Sequence, residues 1–154
     1  MKQSAGILLY KIINGDVQVF LAHPGGPFWK NIDLGAWSIP KGEFTDDENP
    51  LEAAIREFEE ETGTKPHGNF IELDSVKLKS GKTIYAWALE KDLGATSIKS
   101  NEFEIEWPPK SGKITSFPEI DKAEWFSVDI ALTKINPGQA DLILQLIKKM
   151  QTSL

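Results

Sequence analysis

Glu57, Glu60 and Glu61 stand at a spacing that a helix turns to one side, and acids gathered this way are suited to holding a metal ion. They belong to a stretch from Gly42 to Thr64 that reads GEFTDDENPLEAAIREFEEETGT. Successive helical side chains rotate by about 100°, so positions three and four apart share a face. Leu51, Ala54, Ile55 and Phe58 form an apolar stripe. Glu57, Glu60 and Glu61 fall within roughly a 100° sector beside it, while Glu52 and Glu59 point elsewhere. Like charges at these spacings repel by a few tenths of a kcal/mol per pair, so the three acids oppose folding unless a cation joins them. Mg²⁺ is such a cation: it takes a few carboxylates and fills its other positions with water or phosphate oxygens. The competing reading is a solvated acidic face, the usual fate of a glutamate run.

A helix is needed to carry these acids, and its boundaries are written around them. Asn49 is placed to N-cap, Pro50 fits the first turn, and Glu52 stands at the capping-box position. Gly63 is suited to the left-handed conformation that ends a helix. Ahead of the glycine-led loop, Trp37 to Pro40 reads as a short strand that delivers Lys41 and Gly42 to the head of the helix.

Gly42, Glu48, Arg56, Glu57, Glu60, Glu61 and Gly63, with Phe58 between them, fit G-x5-E-x7-R-E-U-x-E-E-x-G-U, where U is bulky and apolar. On these residues the chain resembles the Nudix hydrolases of the MutT-like type; Thr64, in place of an aliphatic residue, is the one departure. The fixed glycines and the sorted faces weigh against a merely solvated helix. The resemblance implies an α/β fold, an α/β/α sandwich with a mixed β-sheet between helices, over 1–154 as a single domain. It implies that the Lys41 backbone carbonyl, and not its ammonium, joins Glu57, Glu60 and Glu61 as a metal ligand. In the family pattern Arg56 pairs with box carboxylates, and helix spacing sets it against Glu52 and Glu60. The segment FPEIDKAEWFSVDIA resembles the family's closing unit, so Glu119 corresponds to a further metal-binding glutamate seen in several subfamilies.

Composition agrees with a soluble globular chain: 154 residues, 40% hydrophobic and 26% charged. A net charge of -6 argues against an extended nucleic-acid surface but leaves room for a local basic pocket. Cys is absent, which excludes disulfides and thiolate chemistry. No stretch reads as a signal peptide or a membrane span, so a cytoplasmic location with no membrane partner is the default expectation.

Along the chain, Ser4 to Ile13 and Val17 to His23 read as paired strands about an Asn14-Gly15-Asp16 turn. The loop HPGGPFWKNIDLGAW follows. His23 is a candidate general base or nucleotide contact, against a structural role at a strand end. Phe28 and Trp29 are candidates to stack on a base, against packing on the domain. Phe70 to Lys79 and Lys82 to Leu89 alternate about Ser80-Gly81, and Tyr85 shares a face with Trp87. That face either lines a substrate pocket or lies in the core, and the core is the preferred reading. A strand-like FEIEW run follows within Ile98 to Phe117, and Lys110 and Lys113 in the next loop are candidates to approach phosphates. Pro137 to Met150 is an amphipathic helix, with Leu142, Leu146 and Met150 on one side.

Phosphoanhydride hydrolysis needs neutralised phosphate charge, a positioned water and a base for its proton. Mg²⁺ or Mn²⁺ on a carboxylate cluster supplies the first two. Glu57 and Glu119 are the candidate bases, Arg56 orients the acids, and Lys41 stands beside the substrate. The resemblance implies a nucleotide-type substrate in which a nucleoside diphosphate is linked to another group, such as an NTP or a dinucleoside polyphosphate. The alternatives are an RNA 5'-end pyrophosphohydrolase and a non-catalytic nucleotide-binding module. Glu119, with Pro118 before it, is expected on a mobile loop.

Overall fold

The structure, a computed structural model, describes residues 2–94 and 100–152. Strands β1 (Gln3–Ile13) and β2 (Asp16–Pro24) form an antiparallel hairpin. Its turn works because Asn14 and Gly15 both take positive φ, 53° and 84°, which matches the twist of the flanking strands. β3 (Lys41–Glu43) pairs with the start of β1, and helix α1 (Pro50–Thr62) follows. Next come β4 (Ile71–Glu72), β5 (Val76–Lys77), β6 (Thr83–Glu90), β7 (Glu102–Glu106), β8 (Ile114–Pro118), β9 (Ile120–Ser127), α2 (Val128–Lys134) and α3 (Ala140–Thr152).

The main sheet runs β4-β6-β1-β2-β9, with β3 added to β1 and β5 to β6. β1 and β6 are parallel and the other pairs antiparallel, so the sheet is mixed. β7 and β8 form a separate two-stranded hairpin.

Alternation along β1 sends Ala5, Ile7 and Leu9 to one face and Leu8 and Tyr10 to the other. The first set packs with Ala53, Ala54 and Phe58 of α1; the second packs with Ala131 of α2 and Leu142, Ile143 and Leu146 of α3. Each helix thus covers one face, giving an α/β/α sandwich. Tyr85 and Trp87 lie on the α1 side, and Met150 packs against the core on the α3 side.

Two sequence readings shift. Trp37 to Pro40 makes only isolated bridges, Ser38 to Ala22 and Trp37 to Ile135, and the paired strand begins at Lys41. The expected strand from Phe70 to Lys79 is broken in two, because Gln145 of α3 pins the break through both backbone groups of Asp74, at 2.7 and 3.0 Å. The FEIEW run forms β7, while Ile98 and Lys99, where that reading began, lie outside the described residues.

Candidate active site

Helix α1 begins where its capping chemistry puts it. The Asn49 side chain accepts from the Glu52 N–H at 3.1 Å, and Pro50 opens the first turn. Gly63 closes the helix at φ 80°, its N–H bonded to the Glu59 carbonyl at 2.8 Å. With Phe58 buried against the sheet, Glu57 and Glu61 are carried to the edge of the core and Glu59 into solvent.

Arg56 is the hub of the acids. Its guanidinium donates to both Glu48 oxygens, with Nη2 at 3.1 and 3.0 Å, to Glu57 Oε1 at 2.9 Å and to Glu60 Oε1 at 3.2 Å. The expected partner Glu60 is there. Glu52 is replaced by Glu48, because the loop before the helix folds back within reach of the guanidinium while Glu52 stays in solvent.

Glu61 points the other way, into a cavity of about 160 Å³ lined by Ala22, Pro24, Ser38, Ile39, Lys41, Glu61, Glu119 and Ile120. Only 9% of Glu61 is exposed, and its Oε2 has no hydrogen-bond partner. The Lys41 backbone N–H bonds its carboxylate. Burial pushes the Glu61 pKa up to about 8 against the pull of the Lys41 ammonium, and Glu57 and Glu119 add to the rise. Burial also raises Glu57 despite Arg56, and raises Glu119 with help from Glu60. The Lys41 ammonium is lowered, first by burial and then by Lys82. Four carboxylates therefore feel one another across this end of the sheet.

Gly42 explains how Glu57 reaches the group. A Cβ at position 42 would overlap the Glu57 carboxylate, so the bare backbone is what lets that side chain lie against β3. Gly25 performs the corresponding service for Glu119: its backbone passes against the Pro118 carbonyl and its N–H bonds the Glu119 carbonyl at 2.9 Å. The Glu119 N–H in turn bonds the Asn101 carbonyl at 2.8 Å. Glu119 thus sits at the bend between β8 and β9 with both backbone groups held, and not on a mobile loop. Gly25 was not singled out in the sequence, since no motif marks a close approach between distant segments. Gln139 was also missed; it braces the cavity wall through Ser38 and the Ile39 N–H, the latter at 3.1 Å.

The remaining candidates separate. His23 is 2% exposed, with Nδ1 2.8 Å from Asp121 Oδ1 and Nε2 2.6 Å from the Ile32 carbonyl. Both ring nitrogens are committed to holding the loop after β2, which leaves neither for a substrate or a proton transfer. Tyr85 packs edge-on against Phe44 at 5.9 Å in the core beside α1 and does not line the cavity. Phe28 and Trp29 are 65% and 41% exposed, and Phe28 meets Trp107 edge-on at 5.4 Å.

Whether the residues suit a divalent cation can be judged from their donors. All are hard oxygens, one is a buried carboxylate oxygen without a partner, and the acids raise one another's pKa. Among the described residues no three acidic, His or Cys side chains converge as a metal cage, since Arg56 draws Glu57 and Glu60 to itself. An all-oxygen donor set with one buried, unpartnered carboxylate oxygen is of the chemistry that fits Mg²⁺ or Mn²⁺.

Residues 2–146 match a family model described as NUDIX domain. The chain is 31% identical over 101 residues to an octanoyltransferase of Myxococcus xanthus, a match that covers 66% of this chain and about a quarter, 25%, of that protein. It is 28% identical over 153 residues to an RNA pyrophosphohydrolase of Rickettsia typhi, covering 92% of this chain and 86% of the relative. Among solved structures, a C. elegans Ap4A hydrolase binary complex shares the fold at a TM-score of 0.67 and 16% identity, with 99% of each chain covered.

Proposed function

Since the chain belongs to the NUDIX domain family, we propose that it hydrolyses a phosphoanhydride bond in a substrate where a nucleoside diphosphate is linked to another group. The observation that carries this reading is the buried, unpartnered Glu61 oxygen facing a cavity that Glu119 also lines, within electrostatic reach of Glu57. A carboxylate that is costly to bury without a partner is kept for a ligand that supplies one.

Glu57, Glu60, Glu61, Glu119 and the Lys41 carbonyl would hold Mg²⁺ or Mn²⁺. When bound, the cation neutralises phosphate charge and lowers the pKa of a coordinated water. The protein's own part is positioning and proton handling. Arg56 fixes the direction of Glu57 and Glu60 and holds the helix entry through Glu48. Glu57 and Glu119 are the candidates to accept the proton of the attacking water, and burial raises the pKa of each above its ordinary value. Gly42 and Gly25 set where those two carboxylates stand. The Lys41 ammonium, beside Glu61 in the cavity wall, would meet a phosphate oxygen.

The substrate is then an NTP, a dinucleoside polyphosphate or a 5'-triphosphorylated RNA, split by water into a monophosphate and the phosphorylated remainder. The RNA reading is favoured by the Rickettsia typhi relative, which aligns over nearly the whole chain. A single-domain chain acting in the cytoplasm is the accompanying proposal; no helix among the described residues is long and apolar enough to cross a membrane. The test is incubation with NTPs, dinucleoside polyphosphates and 5'-triphosphorylated RNA, with Mg²⁺, Mn²⁺ or chelator, and products resolved by chromatography. Cation-dependent release of a monophosphate or pyrophosphate from at least one class is expected. Nucleotide binding without turnover in any of them would instead identify a non-catalytic module.

A further inference from the structure

We propose that the aromatic face of the β7–β8 hairpin, together with the loop lying along it, binds single-stranded RNA downstream of the hydrolysed 5' end. This rests on the hydrolase reading above and adds a site that the box residues do not supply.

Phe103, Ile105 and Trp107 alternate onto one face of the hairpin, while Glu102, Glu104 and Glu106 take the other. The loop after β2 follows the apolar face: Gly26 lies against the Phe103 ring and Phe28 against Trp107. One end of this track is the catalytic region itself. Glu102 pairs with Pro118, the neighbour of Glu119, and Gly25 bonds the Glu119 carbonyl. Trp107 stands five residues on from Glu102, just past the end of β7, about 17 Å away at strand rise. That span exceeds what a base attached directly to the reacting phosphates needs.

The far end carries both chemistries that a nucleic-acid strand uses. Phe28 is 65% and Trp29 41% exposed, offering ring faces for stacking. Lys30, two residues past Phe28, and Lys110 and Lys113 in the hairpin turn are exposed, and none forms an ion pair among the described residues. The Trp107 N–H bonds the Lys113 carbonyl at 2.9 Å, which ties that lysine's backbone to the aromatic end. Three cations placed here decide between occupants. The distal half of a dinucleoside polyphosphate ends in a neutral base and ribose, whereas an RNA strand brings phosphodiesters to this point.

The test uses short single-stranded RNA with a 5' monophosphate and a 3' fluorophore, its anisotropy followed with Mg²⁺ present, since this RNA holds no phosphoanhydride to be turned over. Trp107→Ala should weaken binding about tenfold. Lys110→Ala combined with Lys113→Ala should lower the slope of log affinity against log salt by about one unit. In both, the ratio of kcat/KM for 5'-triphosphorylated RNA to that for a nucleoside triphosphate should fall about tenfold. Binding unchanged in both variants would overturn the proposal. So would an equal loss for a dinucleoside tetraphosphate with the lysine pair silent, which would assign the aromatics to a second base. If Trp107→Ala melts abnormally by circular dichroism, the lysine variant decides by the same criteria. A wild type that turns over nothing sinks the hydrolase reading, while the anisotropy series still judges the track.

Discussion

Glu61 ionises reluctantly because burial strips its carboxylate of water and Glu57 and Glu119 add like charge, which pushes its pKa up to about 8. In the unfolded chain the same group gives up its proton near the ordinary glutamate value of 4.5. Between those values the native state binds more protons than the unfolded one, so stability of the cation-free protein falls as pH rises through this window. The loss is on the order of a few kcal/mol. Glu61→Gln removes the penalty. Its cation-free melting temperature at pH 8 should lie several degrees above that of the wild type, with the gap closing toward pH 5; a lower value at pH 8 would make Glu61 a structural residue. Glu59 provides the internal control, since it stands in solvent on the same helix. Steady-state kinetics of Glu59→Gln should stay within about twofold of wild type. The same change at Glu60 should cut turnover by two orders of magnitude or more. Comparable losses at the two positions would mean that the faces of α1 are assigned wrongly.

At the scale of elements, α1, β3 and the β8–β9 bend each deliver one part of the carboxylate group. The helix depends on its first turn, and Asn49→Ala should cost about 1 kcal/mol in denaturant melts by leaving the Glu52 N–H without its acceptor. Gly42→Ala acts differently. The added methyl meets only the end of the Glu57 side chain, which can swing away, so the fold should tolerate it. Cation affinity measured by calorimetry should nevertheless drop about tenfold or more, because Glu57 loses its place. A large stability loss with intact affinity would reverse that assignment. Glu119 shows where reading along the chain fell short. Pro118 and the Pro-Gly stretch upstream suggested a mobile ligand, yet pairing of β8 with β7, and of Gly25 and Asn101 with Glu119, holds the backbone there. Such pairings join residues far apart in sequence and leave no local pattern. Glu119→Gln should accordingly weaken cation binding to the substrate-free protein about as much as Glu60→Gln does, whereas a mobile ligand would weaken it only slightly.

At the scale of the whole molecule, the mixed sheet brings the end of β2, the start of β9, β3 and the edge of α1 to one place, where Glu61 and Glu119 line one cavity. Much of that was legible in the sequence, because alternation marked β1 and β2, Asn14-Gly15 marked their turn, and Asn49 and Gly63 bounded α1. The helix faces could be counted from 3.6 residues per turn. What could not be read were contacts across the fold. His23 is held by Asp121 and the Ile32 carbonyl, and Arg56 takes Glu48 where Glu52 was expected, while Tyr85 packs on Phe44 as the preferred core reading had it. The acids of α1 also carry a consequence for the whole chain, since a protein with net charge -6 draws a polyphosphate to an acidic cavity only through cations. The measurement that bears most directly on this account is Mn²⁺ binding and nucleotide turnover followed together, for wild type and Glu61→Gln, over one Mn²⁺ titration. Wild-type turnover should be nil in chelator and rise with site occupancy, and Glu61→Gln should lose affinity and turnover together while staying folded. Turnover that persists in chelator, or a Glu61→Gln protein that binds Mn²⁺ and turns over as wild type does, would contradict it.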